Sequence, residues 1–235
     1  MKTAILVDGG FFLRRYKHIR GFEKTDLPEI VAKNLVSYCF RHIQKINQYR
    51  SRYGLPPTEL YRIFYYDAKP FEGDSQKPIS GRSFSFKNTD QFKFRNDLFT
   101  SLKKQRKIAL RLGFLKNSSR QWTIKSRHTK SLLKGDIQIS ELTDDDLDFP
   151  LNQKAVDMKV GLDIATLSFK ERVGQIILIA GDSDFVPAAK FARKEGIDFI
   201  LDPMMNNIDP SLHEHIDGLM TIKNMAKKEV TRGDR

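Results

Sequence analysis

The chain has 235 residues, 40% of them hydrophobic, and a formal net charge of +12. That length suits one sizeable core with room for an insertion, and no run approaches the roughly 20 apolar residues of a membrane span. The single cysteine, Cys39, excludes a disulfide framework and a cysteine-based zinc site, and it suits a reducing, cytoplasmic setting.

"TAILVD" (3–8) predicts a short buried strand, apolar on both faces and broken by Gly9-Gly10. Its apolar run, Ala4 to Val7, meets Asp8 at once, so the N-terminus does not read as a signal peptide. Apolar residues at steps of three and four predict a helix over 26–50, opened by Asp26 and Pro28. A turn at 54–57 leads into an aromatic strand over 59–68, either central or at an edge open to a second copy, so a homo-oligomer stays open. The segment 69–81 is a loop punctuated by Pro and Gly.

"DQFKFRNDLFTSLKKQRK" predicts a helix that buries Phe92, Leu98, Phe99 and Leu102. Residues 108–116 alternate as a strand, and "NSSR" followed by "QWTIKS" predicts a hairpin with it. The acidic stretch 140–149 reads as a surface loop. A helix is expected from 152, then a strand at 176–180, a helix at 185–194, a strand at 197–201, a short helix and a last strand. Alternating strands and helices predict an α/β fold with a parallel sheet covered on both faces. The expected organisation is one domain over 1–222, a basic insertion at about 70–150 and a polar tail over 223–235.

The charge is unevenly spread. Between Gln76 and Gly135 stand 16 Lys and Arg against two Asp, while the rest of the chain has 25 basic and 27 acidic residues. A basic block of this kind favours a polyanion through counterion release. Parallel sheets bind ligands at the carboxyl ends of their strands, near the topological switch point. There the sequence puts Asp8 after the first strand, and Asp182 and Asp184 after the strand at 176–180. Asp157 lies at the edge of the apolar stripe of the preceding helix, and Asp163 falls inside that stripe, as outer support for a site or as the partner of a base. An Asp after a strand can also simply cap the next helix, as Asp182 or Ser183 would. Four carboxylates on elements that meet nevertheless call for a hard divalent cation with oxygen ligands; the one histidine pair with metal-like spacing, His213-x-His215, falls on an expected helix where residues two apart do not share a face.

"ILVDGGFF", "YYDA", "LRLGFL", "QKAVDMKVGLDIA" and "ILIAGDSDFVPAAKFARKEG" with "DPM" occur in this order. The set resembles the LabA-like branch of the NYN domain family, in the PIN-like nuclease superfamily. The resemblance covers most of residues 1–221, and the GDSDF segment is its most specific part. It implies a Rossmann-like three-layer α/β/α fold with a central, mainly parallel sheet, a Mg²⁺ or Mn²⁺ site and RNA as substrate. Asp8, Asp157, Asp182 and Asp184 match its acidic positions, with Asp163 and Ser183 in support. Two departures stand out: Phe11 and Phe12 where relatives carry an Asn, and Ala155 where a Gly is frequent.

The reaction so implied is metal-dependent endonucleolytic hydrolysis of RNA. Arg14, Arg15, Lys103, Lys104, Arg106, Lys107, Arg111 and Lys154 are candidate phosphate contacts, and Phe84, Phe86 and Trp122 candidate stacking partners for unpaired bases. For Trp122 the competing reading is packing within the hairpin. The competing function is a non-catalytic RNA-binding or regulatory module on the same fold. A haloacid dehalogenase-type phosphatase is disfavoured because Gly10 stands where its second Asp is needed, and a dinucleotide-binding oxidoreductase because "VDGGFF" lacks GxGxxG.

Overall fold

The computed structural model describes residues 1–20, 27–117 and 121–222. The expected C-terminal tail and most of the "NSSR" turn lie outside the described residues. The first half of the chain forms β1 (Lys2–Asp8), α1 (Gly9–Arg20), α2 (Pro28–Arg52), β2 (Glu59–Lys69), β3 (Asp74–Gln76), β4 (Ser83–Ser85), α3 (Asp90–Lys103) and β5 (Ile108–Lys116). There follow β6 (Thr123–Ile124), α4 (Ser126–Lys134), β7 (Leu147–Asp148), β8 (Asn152–Lys154), α5 (Val156–Phe169), β9 (Gln175–Ile179), α6 (Val186–Lys194), β10 (Asp198–Asp202), α7 (Pro210–His213) and β11 (Gly218–Leu219). Among the described residues no helix is long and apolar enough to cross a membrane.

Seven strands form one sheet in the order β11-β10-β9-β1-β2-β5-β8. All neighbours are parallel except β8, which runs antiparallel to β5. The period of two along β1 sorts its side chains to two cores. Ile5 and Val7 join Ile63, Tyr65, Ile177 and Ile179 beneath α1, α2 and α3. Ala4 and Leu6 join Phe64, Tyr66, Ile176 and Leu178 beneath α5 and α6. Burying each Val, Leu or Ile is worth about 1.5–3 kcal/mol, so β1, buried from Thr3 to Val7, is a poor place for change. The aromatic strand β2 is central, paired with β1 on one side and β5 on the other.

Gly9-Gly10 end β1 as expected and are at the same time the first residues of α1. Gly9 is needed because a Cβ there would lie 2.5 Å from the Tyr65 ring and 2.7 Å from the Tyr66 carbonyl oxygen. The "QWTIKS" strand does not form a hairpin with β5: β6 pairs with β7, and β5 takes β8 as its antiparallel neighbour. Two short 3-10 turns and β7 occupy much of the acidic 140–149 stretch. Residues 152–154 are strand rather than helix.

The chain turns from β8 into α5 through Ala155, whose φ of +65° is left-handed. Gly113 on β5 makes that turn fit, since a Cβ there would lie 2.3 Å from the Lys154 carbonyl oxygen. A glycine at the Ala155 position would take this left-handed φ without strain.

Two stability measurements check these constraints. Gly9→Ala should lose at least about 2 kcal/mol in urea unfolding, because the neighbour it meets includes backbone. Ala155→Gly should gain up to about 1 kcal/mol, the relief of a left-handed alanine less the extra freedom glycine has when unfolded.

Candidate active site at the strand ends

The sheet register collects acids along one edge. Asp8 is level with Tyr66 on β2, one residue before Asp67. Val7 is level with Ile179, and Ile179 with Asp202 on β10. Asp182 and Asp184 follow β9 directly, and Asp157 stands in the first turn of α5. The chain runs from β1 to one side through β2 and β5, then crosses by α5 to β9 on the other. The gap between β1 and β9 is therefore the topological switch point.

The acids divide into two kinds. Asp67 is buried and forms an ion pair with Arg95 while accepting from the Ala68 amide at 2.8 Å. Asp202 is wholly buried and accepts from the Tyr38 hydroxyl at 2.5 Å, the Met204 amide at 2.8 Å and the Thr221 hydroxyl at 2.9 Å, with His42 Nε2 at 2.8 Å. Asp163 accepts from the Tyr66 hydroxyl at 2.9 Å and from Arg111 Nε at 2.8 Å. Of the two roles expected for Asp163, pairing with a base is the one realised. By contrast, among the described residues Asp8, Asp157, Asp182 and Asp184 form no ion pair.

Two of these four do cap helices. Asp8 Oδ1 accepts from the Phe11 amide at 3.0 Å, and Asp182 Oδ1 from the Asp184 amide at 3.1 Å. A cap engages one oxygen, so neither carboxylate is used up by it. Burial pushes the Asp8 carboxyl above the usual carboxylate range, against the opposing pull of the Phe11 amide and Arg14, and Asp67 and Asp157 push it further. Asp157 is exposed overall, yet its surroundings strip enough water to raise its carboxyl too, with repulsion from Asp182 and Asp184 adding to the rise.

Asp8, Gly181, Asp182 and Ser183 line a cleft of about 330 Å³ with Arg14, Arg15 and Phe11. Arg15 is fixed there by hydrogen bonds from Nε and Nη2 to the Met204 carbonyl oxygen at 3.0 and 2.9 Å. Phe11 packs so close that a Cβ on Gly181 would lie 2.5 Å from its ring. Polar groups reach the cleft from the opposite wall instead, as Asn206 and Asp209. Neither was expected from the sequence, nor was Asp67; the first two sit in a polar loop with no periodicity, while Asp67 lies near the carboxyl end of β2, two residues before its last, Lys69.

The candidate phosphate contacts scatter. Arg14 and Arg15 are at the cleft, and Lys154 is exposed on β8 three residues before Asp157. Arg111 is engaged by Asp163 and lies 5.2 Å from the Phe64 ring centre. Lys103, Lys104, Arg106 and Lys107 stand at the end of α3 and the turn that leads into the amino end of β5. The Lys107 amine donates to the Leu60 carbonyl oxygen, and Leu60 is level with Thr3. That puts Lys107 roughly 17 Å along the sheet from Asp8, at the far edge. The structure does not bring this run together with the acids.

As a metal centre the four acids fit in kind but are not closed. Their donors are all hard oxygens, and loss of water raises two of the carboxyls, Asp8 and Asp157, as it also raises the paired Asp67. Among the described residues, however, no group of three His, Cys, Asp or Glu side chains already stands in metal-holding geometry.

The NYN domain model matches residues 85–208, a segment that contains Asp157, Asp182 and Asp184 and begins after Asp8. The chain belongs to the NYN domain family. Membership implies a nuclease-like fold, and in this NYN domain the first strand completes the acidic edge from outside the matched segment. No curated protein matches the chain. Among solved structures, a protein of unknown function from Vibrio parahaemolyticus aligns at 14% identity over 95% of this chain and 94% of that chain, with a TM-score of 0.43.

The raised Asp8 carboxyl makes a signed prediction. A carboxyl whose folded pKa is raised stabilises the fold fully below the ordinary carboxylate value and loses that contribution as pH rises through the raised one. Asp8→Asn keeps the cap and removes the charge. In EDTA the variant should melt roughly 2–4 °C above the parent at neutral pH, with the gap closing at about pH 3–4. Thermal melts across that range check it.

Proposed function

We propose that this NYN domain is a metal-dependent ribonuclease, an endonuclease that hydrolyses RNA phosphodiester bonds at the switch-point cleft. The observation that supports the reading is the division of the acids: Asp67, Asp163 and Asp202 have built partners, whereas Asp8, Asp157, Asp182 and Asp184 stand near one another with no ion pair among the described residues, Arg14 alone pulling on Asp8 from a distance. Unpaired carboxylates at the edge of a core cost stability, and a nuclease has a use for them.

Asp8, Asp157, Asp182 and Asp184 would hold Mg²⁺ or Mn²⁺, which when bound neutralises charge on the phosphate and makes water a stronger acid. Asp8 and Asp182 keep one oxygen each on a backbone amide, which fixes their direction. Of the exposed acids Asp157 and Asp184, one would orient the attacking water. Arg14 and Arg15 receive the non-bridging phosphate oxygens, and Ser183 lines the same wall. The products would be a 5′-phosphate and a 3′-hydroxyl. The choice of RNA, the LabA-like branch and the PIN-like relation rest on the motif resemblance.

One observation favours a second reading, a binding module without turnover: no three acids are preformed around one point. Labelled RNAs and DNAs incubated with Mg²⁺, Mn²⁺ or EDTA decide between the two. The nuclease requires cleavage that needs the metal and falls at least about 100-fold in Asp182→Asn, the scale of losing a principal transition-state contact. Salt-dependent binding with no cleavage in either protein would select the binding module.

A further inference from the structure

A second cleft of about 550 Å³ adjoins the acidic one. Arg14 lines both. Gly10 also lines the second cleft, and a Cβ on it would lie 3.4 Å from Asp8 Oδ1 and 3.9 Å from Arg14 Nη1. The passage between the two clefts is thus bounded by one glycine, one carboxylate and one guanidinium.

The walls of this second cleft are aromatic. Phe71, Phe84, Phe86, Trp122 and Phe149 all face it, and none of them is fully buried. The rings contact one another largely by their edges: Phe84 and Phe86 have centroids 4.8 Å apart at 81°, and Trp122 and Phe149 are 5.3 Å apart at 63°. Lys77 Nζ sits 4.9 Å from the Phe84 centroid and 4.8 Å from that of Trp122. The Lys77 ammonium, and no other ring, occupies these two faces, so a stacking base would take its place and release the ammonium toward a neighbouring phosphate. The Trp122 indole N–H already donates to Ser75 Oγ at 3.2 Å, which fixes the ring's orientation. Packing alone would have buried these rings as a small core; instead they leave a hollow in the size range of ligand sites.

We infer that this aromatic cleft holds one or two unpaired bases of a single-stranded polynucleotide whose backbone passes Arg14 to the acidic edge. Every base has a flat π-face, so such a site grips a strand without reading its sequence, and a paired base cannot enter it. Lys77 and Arg14 match the phosphates on either side of the stacked base. Gln91 and Gln153, both on the wall, supply donors and acceptors for base edges. The inference rests on the nuclease reading for the nature of the ligand but not for its cleavage.

Trp122 is the chain's one tryptophan, so fluorescence excited at the red edge, where the seven tyrosines do not absorb, reports on this cleft. The experiment titrates Asp182→Asn protein in EDTA with a uridine octamer and with an abasic ribose-phosphate strand of equal length. The octamer should quench Trp122 saturably and bind about ten times more tightly than the abasic strand, which binds through phosphates without quenching. Phe86→Leu keeps an apolar side chain, and its melt is recorded alongside; in that background it should weaken the octamer roughly five- to a hundredfold and leave the abasic strand unchanged. Equal affinities with no quench overturn the cleft. Quenching by an octamer that wild-type protein with Mn²⁺ does not cut overturns hydrolysis and keeps the cleft. Cleavage at the same rate in wild-type protein and in a single Phe86→Leu variant, without quench, does the reverse.

Discussion

Repulsion among carboxylates is the constraint around which this domain is arranged. A parallel sheet points all its strand ends one way, so any acid that ends a strand meets the others. Two like charges 6 Å apart at an effective dielectric of 20 repel by about 3 kcal/mol, a sizeable fraction of a domain's stability. The chain meets this with a dedicated partner for each acid at the flanks of the edge: Arg95 for Asp67, and His42 with Tyr38 for Asp202. Asp163, further down α5, has Arg111 and Tyr66. Only at the middle of the edge is the repulsion left standing.

Those partners also tie the layers together. Tyr38 and His42 belong to α2, so the Asp202 network joins a helix of one face to the end of β10. Arg95 belongs to α3 and binds the end of β2. Asp163 and Arg111 join α5 to β5 on the other face. Each pair that removes a charge from the edge therefore also fixes a helix over the sheet, and breaking one would leave an uncompensated acid in a largely apolar setting.

Much of this was legible in the residues. The strands 3–8, 59–68, 108–116, 176–180 and 197–201 carry apolar runs or alternation strong enough to place them within a residue or two. The sequence also points to the four central acids, because each directly follows a strand or opens a helix. What escaped was what depends on distant backbone. The β5–β8 pairing requires Gly113 to meet residue 154, and α1 begins at Gly9 because Tyr65 and Tyr66 stand across from it. Neither partner is near in sequence, and paired glycines read locally as a break. Net charge misled in a different way: the run from Lys103 to Lys107 has the right sign for a phosphate track but sits at the opposite edge, since composition carries no direction along a strand.

The position of β1 has a consequence for how the domain comes into being. Of the strands of this sheet it is made first, yet it lies between β2 and β9, and β9 follows every other strand but β10 and β11. On a ribosome β1 and β2 can pair early, while the other edge of β1 waits unpaired for most of synthesis. The acidic cleft cannot exist until that edge closes, because Asp8 is contributed from one side and Asp182 from the other. A chain that stops before β9 is thus without the cleft. The same delay exposes a long apolar strand edge, so chains halted before β9 are the species in which aggregation would begin.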